Sequence, residues 1–270
     1  MQLQVNDITL NVEQSGAGHP LLLLHGFTGS AATWSRLSAR FAPTFRTIAL
    51  DLIGHGRSDS PPDAQRYQIE HCVADLLAVL DALNIERADV LGYSMGGRVA
   101  LHLAAAAPGR IGALVLESSS PGIADQAERA ARIASDDALA GSIERDGIAA
   151  FVERWERLPL FASQAALSAA IRTRLRAQRL QNDPRGLANS LRGMGAGRQP
   201  PLWDRLATLD IPTLLIAGQL DAKYRGIAHQ MALALPDVRT VIVPGAGHAV
   251  HLEQPNAFIQ NVLEFLDKIE

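Results

Sequence analysis

The chain has 270 residues, but it contains one cysteine and only two lysines. The single cysteine, Cys72, cannot form an internal disulfide. Its neighbours are typical of a helix, so it is predicted to be a small core residue rather than a nucleophile. The first residues lack a basic region followed by an apolar stretch, and no apolar run is long enough to span a bilayer. We therefore expect no signal peptide and a cytoplasmic location.

The net charge of −3 is unevenly distributed along the chain. From Arg129 to Arg205 there are 13 arginines and 8 acidic residues, a net charge of +5, so the rest of the chain carries −8. Arginine suits the bidentate capture of carboxylates, although most of these arginines also fit an ordinary solvated helical surface. The negative total argues against a general nucleic-acid-binding protein.

Strand-like and helix-like stretches alternate along much of the chain. Residues 20–24 and 112–117 are apolar runs typical of strands buried on both faces, and residues 8–13 alternate like an edge strand. Residues 69–83 and 258–269 have the periodicity of amphipathic helices. This alternation predicts an α/β fold, with a mostly parallel sheet flanked by helices on both faces.

The alternation stops near the middle of the chain. Residues 121–205 contain no convincing strand, and Gly141 and Gly147 are expected to interrupt their helical pattern. We predict that residues 121–205 form a helical cap inserted into a core made of residues 1–120 and 206–270. The chain length fits one large α/β domain with such an insertion.

A Gly-x-Ser-x-Gly motif, formed by Gly92, Ser94 and Gly96, lies between a predicted strand and a predicted helix. A serine on so sharp a turn is held in a strained backbone conformation, and the glycines leave room for it. Its hydroxyl is then exposed at the N-terminus of the helix, where the helix dipole favours negative charge. This placement predicts that Ser94 is catalytic rather than part of an ordinary glycine-rich turn.

A catalytic serine needs a base to accept its proton and an acid to orient that base. In this arrangement the acid and then the histidine follow the serine in sequence. Asp221 and His248 each follow a predicted strand, so both are expected at the sheet edge that carries Ser94. Glu117, at the end of another strand, is the rival acid. His251 is the rival base, although it falls inside the next helical stretch.

An oxyanion hole requires two backbone N–H groups aimed at the developing negative charge. One is expected from Met95, directly after the serine, and the other from the loop 25–27, at Phe27. We find no cluster of metal-ligating residues in the sequence, and the predicted chemistry requires neither a metal nor an organic cofactor.

Several motifs occur in the order in which the α/β-hydrolase superfamily carries them. They are His25-Gly26-Phe27, Asp51 to Ser58, Gly92 to Gly97, Gly218 to Asp221 and Gly245 to His248. The chain resembles that superfamily over its whole length apart from the cap. The resemblance implies the α/β-hydrolase fold but does not fix the reaction, because this fold hosts many reactions.

Other stretches resemble one family within that superfamily, the 2-succinyl-6-hydroxy-2,4-cyclohexadiene-1-carboxylate synthases (MenH) of menaquinone biosynthesis. They are residues 25–30, residues 92–98, residues 158–164, residues 190–197 and Lys223-Tyr224, where relatives tend to carry Lys-Phe. The resemblance implies a lyase that eliminates pyruvate from a cyclohexene bearing three carboxylates. It also implies that Ser94 acts as a general base rather than as an acyl-transfer nucleophile.

The resemblance further implies a set of substrate-binding side chains. These are Tyr93, Arg98, Arg132, Trp155, Arg179 and Lys223. Arg98 lies one turn into the helix that Ser94 begins, and is therefore expected beside it. A buried cation there needs an anion, either a substrate carboxylate or a core carboxylate. Arg176 is an alternative to Arg179, and the two aromatic members could instead be ordinary core residues.

Two other functions are compatible with parts of the pattern. A carboxylesterase or a C–C bond hydrolase would use the same triad, whereas a binding protein on this fold would not need Ser94, Asp221 and His248 intact. The expected partner is a small polycarboxylate substrate, with no nucleic acid and no membrane. The chain is expected to be a monomer or a weak homodimer.

Overall fold

The computed structural model describes residues 1–269, in which eight strands form one sheet. The strands are β1 (Gln2–Val5), β2 (Ile8–Ser15), β3 (His19–Leu24), β4 (Phe45–Leu50), β5 (Ala88–Tyr93), β6 (Ile111–Glu117), β7 (Thr213–Gly218) and β8 (Val238–Val243). The helices are α1 (Ser35–Phe41), α2 (Ile69–Ala82), α3 (Met95–Ala106), α4 (Gln126–Trp155), α5 (Ala169–Leu180), α6 (Pro184–Met194), α7 (Ala222–Ala232), α8 (Val250–Glu253) and α9 (Pro255–Leu266).

The strand order in the sheet is β1-β2-β4-β3-β5-β6-β7-β8. Strands β3 to β8 are parallel, whereas β1 and β2 are antiparallel to their neighbours. The predicted α/β class with a mostly parallel sheet is confirmed. Helix α2 also agrees with the predicted helix over residues 69–83, and β7 and β8 are the strands predicted to precede Asp221 and His248.

The prediction of an edge strand over residues 8–13 was wrong. Residues Gln2–Val5 pair with this strand through a tight turn at Asn6, whose φ of 50° is in the left-handed region. Asparagine tolerates that conformation, as two-residue hairpin turns require. The edge strand on this side of the sheet is therefore β1, which is too short to show its alternation in the sequence.

The apolar runs in the sequence reflect burial on both faces of the sheet. Leu22 and Leu24 of β3 pack in one apolar cluster with residues of α2 and α3, whereas Leu21 and Leu23 pack in another with residues of α1 and α9. Successive side chains of a strand point to opposite faces. A strand covered on both sides therefore needs apolar residues at every position.

Between β6 and β7 the described chain contains helices and turns but no strand. Helices α4 and α6 share a small apolar cluster of their own, formed by Ala140, Ile143, Phe151, Val152, Leu187, Ala188 and Leu191. The predicted interruption at Gly141 was wrong, because α4 runs through it and an isolated glycine in a helix costs only about 1 kcal/mol. Gly147 does interrupt the helix, with a φ of 79°. Of the helices within residues 1–269, none is both long and apolar enough to cross a membrane.

Candidate active site

Ser94 occupies the turn between β5 and α3, where its φ of 51° is unusual for a residue with a side chain. The flanking glycines make this turn possible. A Cβ on Gly92 would lie 2.5 Å from the carbonyl oxygen of Gly96, and a Cβ on Gly96 would lie 2.2 Å from that of Leu24. The turn is therefore packed too tightly for any other residue at these two positions, and it holds Ser94 at the N-terminus of α3.

The loops after β7 and β8 bring an acid and a base to Ser94. His248 Nε2 lies 3.1 Å from Ser94 Oγ, and His248 Nδ1 lies 2.7 Å from Asp221 Oδ2. The other oxygen of Asp221 accepts a hydrogen bond from the backbone N–H of Tyr224 at the start of α7, which fixes the carboxylate. The structure thus brings the three predicted residues together in the geometry of a Ser-His-Asp triad.

The rival acid and base form a separate pair. His251 Nδ1 lies 2.8 Å from Glu117 Oε2, and the backbone N–H of His251 donates to Glu117 Oε1 at 3.0 Å. Both side chains are fully buried. The ring of Tyr93 stands between the two histidines, with its centroid 4.7 Å from that of His251 and 5.4 Å from that of His248. The His251 side chain therefore packs against Tyr93, and Glu117 contacts Ser94 through its backbone carbonyl oxygen, which accepts the Ser94 N–H at 2.8 Å, rather than through its carboxylate.

The two predicted oxyanion-hole residues, Phe27 and Met95, line the same cavity as Ser94. Neither N–H group has a backbone hydrogen-bond partner in the described part of the chain. The loop of Phe27 is held by His25, whose Nε2 accepts from the N–H of Leu52 at 3.0 Å and whose Nδ1 lies 2.8 Å from the carbonyl oxygen of Gly26. Burial lowers the pKa of His25 to about 4, so a neutral ring holds this loop.

The cavity in front of Ser94 has a volume of about 170 Å³. Of the predicted substrate-binding residues, it is lined by Tyr93, Arg98, Arg132, Trp155 and Lys223. Arg179 is not part of its wall but lies over the ring of Phe161, which is, with the guanidinium carbon 5.6 Å from the centroid of that ring. Glu156 holds Arg179 in this position, because its Oε1 accepts a hydrogen bond from Arg179 Nη1 at 3.1 Å.

Arg98 is a cation without a carboxylate partner in residues 1–269. Its Nε donates to Gln199 Oε1 at 2.7 Å, and its Nη2 donates to the carbonyl oxygen of Met194 at 3.3 Å. Burial lowers the pKa of Arg98 to about 10, and the nearby Arg132 acts in the same direction. The expected alternative, an ion pair with a core carboxylate, is not formed there: Asp136 acts on Arg98 only at a distance, so the guanidinium faces the cavity without a carboxylate in contact with it.

Arg132 does have an acidic partner, since its Nε lies 2.8 Å from Asp136 Oδ1. Burial raises the pKa of Asp136, although Arg132 opposes that effect. With Arg98 and Lys223 in the same wall, positive charges outnumber the negative one. No group of three His, Cys, Asp or Glu side chains in residues 1–269 could hold a metal ion.

Tyr224 and Asp136 line the cavity but were missed in the sequence. The ring of Tyr224 lies 4.7 Å from that of His248, and burial raises the pKa of its hydroxyl. Its position directly after Lys223 was the available signal. Asp136 carried a weaker signal, its i,i+4 spacing from Arg132 on a helix.

Comparisons with known proteins agree with this geometry. The alpha/beta hydrolase fold family matches residues 19–255. Over 257 residues the chain is 46% identical to a Bacillus subtilis (strain 168) protein with the provisional name 2-succinyl-6-hydroxy-2,4-cyclohexadiene-1-carboxylate synthase, covering 95% of this chain and 93% of that protein. It is 34% identical over 257 residues to the synthase of that name from Serratia proteamaculans (strain 568), and the match covers 94% of this chain and 96% of that synthase. The structure of MenH from S. aureus superposes with a TM-score of 0.92 and 35% sequence identity, and the match covers 96% of this chain and 98% of that one. The chain therefore belongs to the alpha/beta hydrolase fold family and, within it, is a relative of these synthases.

Proposed function

We propose that this chain is a lyase of menaquinone biosynthesis. It eliminates pyruvate from 2-succinyl-5-enolpyruvyl-6-hydroxy-3-cyclohexene-1-carboxylate and forms 2-succinyl-6-hydroxy-2,4-cyclohexadiene-1-carboxylate. The observation that carries the proposal is a complete Ser-His-Asp geometry that opens onto a cavity with an excess of positive charge. Relatives named for this reaction match nearly the whole chain, including the cap.

The reaction begins with loss of a proton from the carbon next to the succinyl ketone. His248 Nε2 accepts the proton of Ser94, and Asp221 stabilises the resulting imidazolium across 2.7 Å. The serine oxyanion, at the N-terminus of α3, is the base that removes the substrate proton. The strained backbone of Ser94 keeps this oxygen in place, so little reorganisation accompanies the proton transfer.

The electron pair of the broken C–H bond moves into the ketone and forms an enolate. Its oxygen binds the free N–H groups of Phe27 and Met95, which stabilise the negative charge as it develops. When the ketone re-forms, electrons pass through the ring, a new C=C bond appears and the C–O bond to the enolpyruvyl group breaks. The leaving group takes up a proton and becomes pyruvate, and no water is consumed.

Arg98 and Arg132 hold carboxylates of the substrate in this proposal. A guanidinium binds a carboxylate through two parallel hydrogen bonds, which fixes orientation as well as charge. The substrate also removes the energetic cost of the unneutralised Arg98. Because Arg98 lies one turn along α3 from the serine, a carboxylate bound there positions the reacting carbon close to Ser94 Oγ.

The direct test is a coupled assay of pyruvate release from the enolpyruvyl substrate. We expect turnover by the wild-type protein and a loss of about 10³-fold or more in Ser94→Ala. Ser119→Ala is the matched control, because this serine lies beside the same turn and its hydroxyl bonds only to the Ser94 carbonyl oxygen. Hydrolysis of simple esters without pyruvate release would instead support the carboxylesterase alternative.

A further inference from the structure

A second cavity, of about 660 Å³, lies within the cap. We call it the outer chamber. It is bounded by residues Pro159–Ala166, by helix α5 and by the end of α4. Its charged lining consists of Arg157, Arg172, Arg176, Arg179 and Glu156, a net formal charge of +3. The chamber therefore has the charge that an anionic ligand requires.

One carboxylate is shared by two of these arginines. Glu156 Oε2 lies 2.6 Å from Arg176 Nη1, and Glu156 Oε1 lies 3.1 Å from Arg179 Nη1. A carboxylate carries a single charge, so it neutralises only one of the two guanidiniums. Both cations keep N–H groups that a second anion can bind.

Arg172 has no acidic partner in the described part of the chain. Its Nη1 donates to the carbonyl oxygens of Ala165 and Leu167 at 2.7 and 2.6 Å, which hold the guanidinium at the rim of the chamber. Arg157 pairs with Glu153, a residue outside the chamber wall. Even with that acid counted, the chamber retains an excess of positive charge.

The outer chamber adjoins the cavity of Ser94 through one shared side chain. Phe161 lines both cavities, and the centroid of its ring lies 6.2 Å from that of the His248 ring and 5.6 Å from the Arg179 guanidinium carbon. A small cavity of about 40 Å³ adjoins both of them, since it is lined by Gln164 and Arg179 of the chamber and by Phe27 of the Ser94 cavity. A ligand in the chamber is therefore one aromatic ring away from the catalytic histidine.

We propose that the outer chamber is a second binding site for carboxylate ligands, distinct from the pair Arg98 and Arg132. The Ser94 cavity, at about 170 Å³, is below the range of about 300–1,000 Å³ typical of pockets for small organic ligands. The larger chamber beside it provides more space and additional positive charge. The identity of the natural ligand rests on the proposed function: it is the incoming polycarboxylate or the departing pyruvate.

Isothermal titration with tricarballylate, an inert tricarboxylate, tests the binding site without turnover. The variant Arg98→Met weakens the binding of carboxylates in the Ser94 cavity. We expect this variant to keep one binding site for tricarballylate, in the outer chamber. Adding Arg172→Ala and Arg176→Ala to that variant should weaken the remaining site about tenfold, as expected for two lost ionic contacts. Arg174→Ala is the matched control, because Arg174 is exposed on the same helix and lies outside the chamber wall. Equal affinity with and without Arg172 and Arg176 would overturn the proposal.

Two further measurements identify the ligand and guard against misfolding. Competition by pyruvate for the site in Arg98→Met would identify the product as an occupant, and competition by the substrate alone would identify the substrate. The titration is repeated with the single variant Arg172→Ala. This substitution removes no ion pair that could be needed for folding, because the Arg172 guanidinium binds only carbonyl oxygens in the described part of the chain. Pyruvate release by the wild-type protein is measured separately, so a failure of the proposed reaction is distinguishable from an absent chamber site.

Discussion

Replacing Arg98 by methionine should stabilise the protein and impair its reaction. Burial lowers the pKa of Arg98 from the ordinary 12.5 to about 10. That difference corresponds to about 3 kcal/mol of destabilisation of the charged form, since each tenfold change in a protonation equilibrium is worth about 1.4 kcal/mol. Methionine fills a similar volume without the charge, so this cost disappears at neutral pH.

Part of the gain is lost because a polar group is left behind. Gln199 Oε1 accepts the Arg98 Nε hydrogen bond at 2.7 Å, and Gln199 is buried. An unsatisfied buried acceptor costs about 1–3 kcal/mol. The Met194 carbonyl oxygen also loses its bond to Arg98 Nη2, but that bond is long at 3.3 Å and Met194 lines the cavity, where water replaces it. The net stabilisation of Arg98→Met is therefore about 1 kcal/mol, which corresponds to a rise of roughly 2–4 °C in Tm for a chain of this size.

The kinetic effect should have the opposite sign. Removing one partner of a desolvated ion pair costs about 2–5 kcal/mol, so kcat/KM for the carboxylate substrate should fall at least about 30-fold. Differential scanning calorimetry and steady-state pyruvate release measure the two effects on one preparation. Gln199→Met is the control, since it removes the same hydrogen bond and keeps the charge. Wild-type kcat/KM in Arg98→Met, or a Tm below that of the wild type, would refute the reasoning.

Two further predictions concern the catalytic acid and the buried histidine His55. Asp221→Asn should lower the rate of pyruvate release about 10³-fold or more, whereas Glu117→Gln should chiefly lower the unfolding free energy, by roughly 1–3 kcal/mol; the reverse pattern would make Glu117 the catalytic acid. Burial lowers the pKa of His55 to about 3, so the stability it provides is complete above pH 6.5 and is lost as the pH falls toward 3. The pH dependence of the unfolding free energy between pH 6.5 and 4 should therefore be shallower by about one proton in His55→Gln than in the wild type. The exposed control His229→Gln should show the wild-type dependence.

Local sequence features were sufficient to predict the core of the fold. The apolar runs of the strands and the periodicity of the helices reflect which faces of each strand or helix are buried. This pattern can be read from each segment by itself. The turn at Ser94 was predictable for the same reason, because its two glycines stand two residues before and two after the serine. The positions of Asp221 and His248 followed from the rule that parallel strands carry their sites at one edge.

Contacts between distant segments were not predictable in this way. Gln199 binds Arg98 across 101 positions, and Glu117 binds His251 across 134. Neither pairing leaves a trace in local periodicity, since it depends on how the cap and the loops pack. Arg179 illustrates the limit most clearly: its helical context was recognisable, but its absence from the wall of the Ser94 cavity depends on its contacts with Glu156 and Phe161.

The role of Ser94 as a base rather than a nucleophile is tested most directly by the intact mass of the protein during turnover. Quenching the wild-type enzyme in the steady state with the enolpyruvyl substrate, and measuring pyruvate in the same samples, gives both quantities together. We predict continuous pyruvate release with the protein at its unmodified mass, because a serine that only removes a proton forms no ester. A substrate-derived adduct on Ser94 that forms and decays with turnover would contradict this role and would indicate a hydrolase.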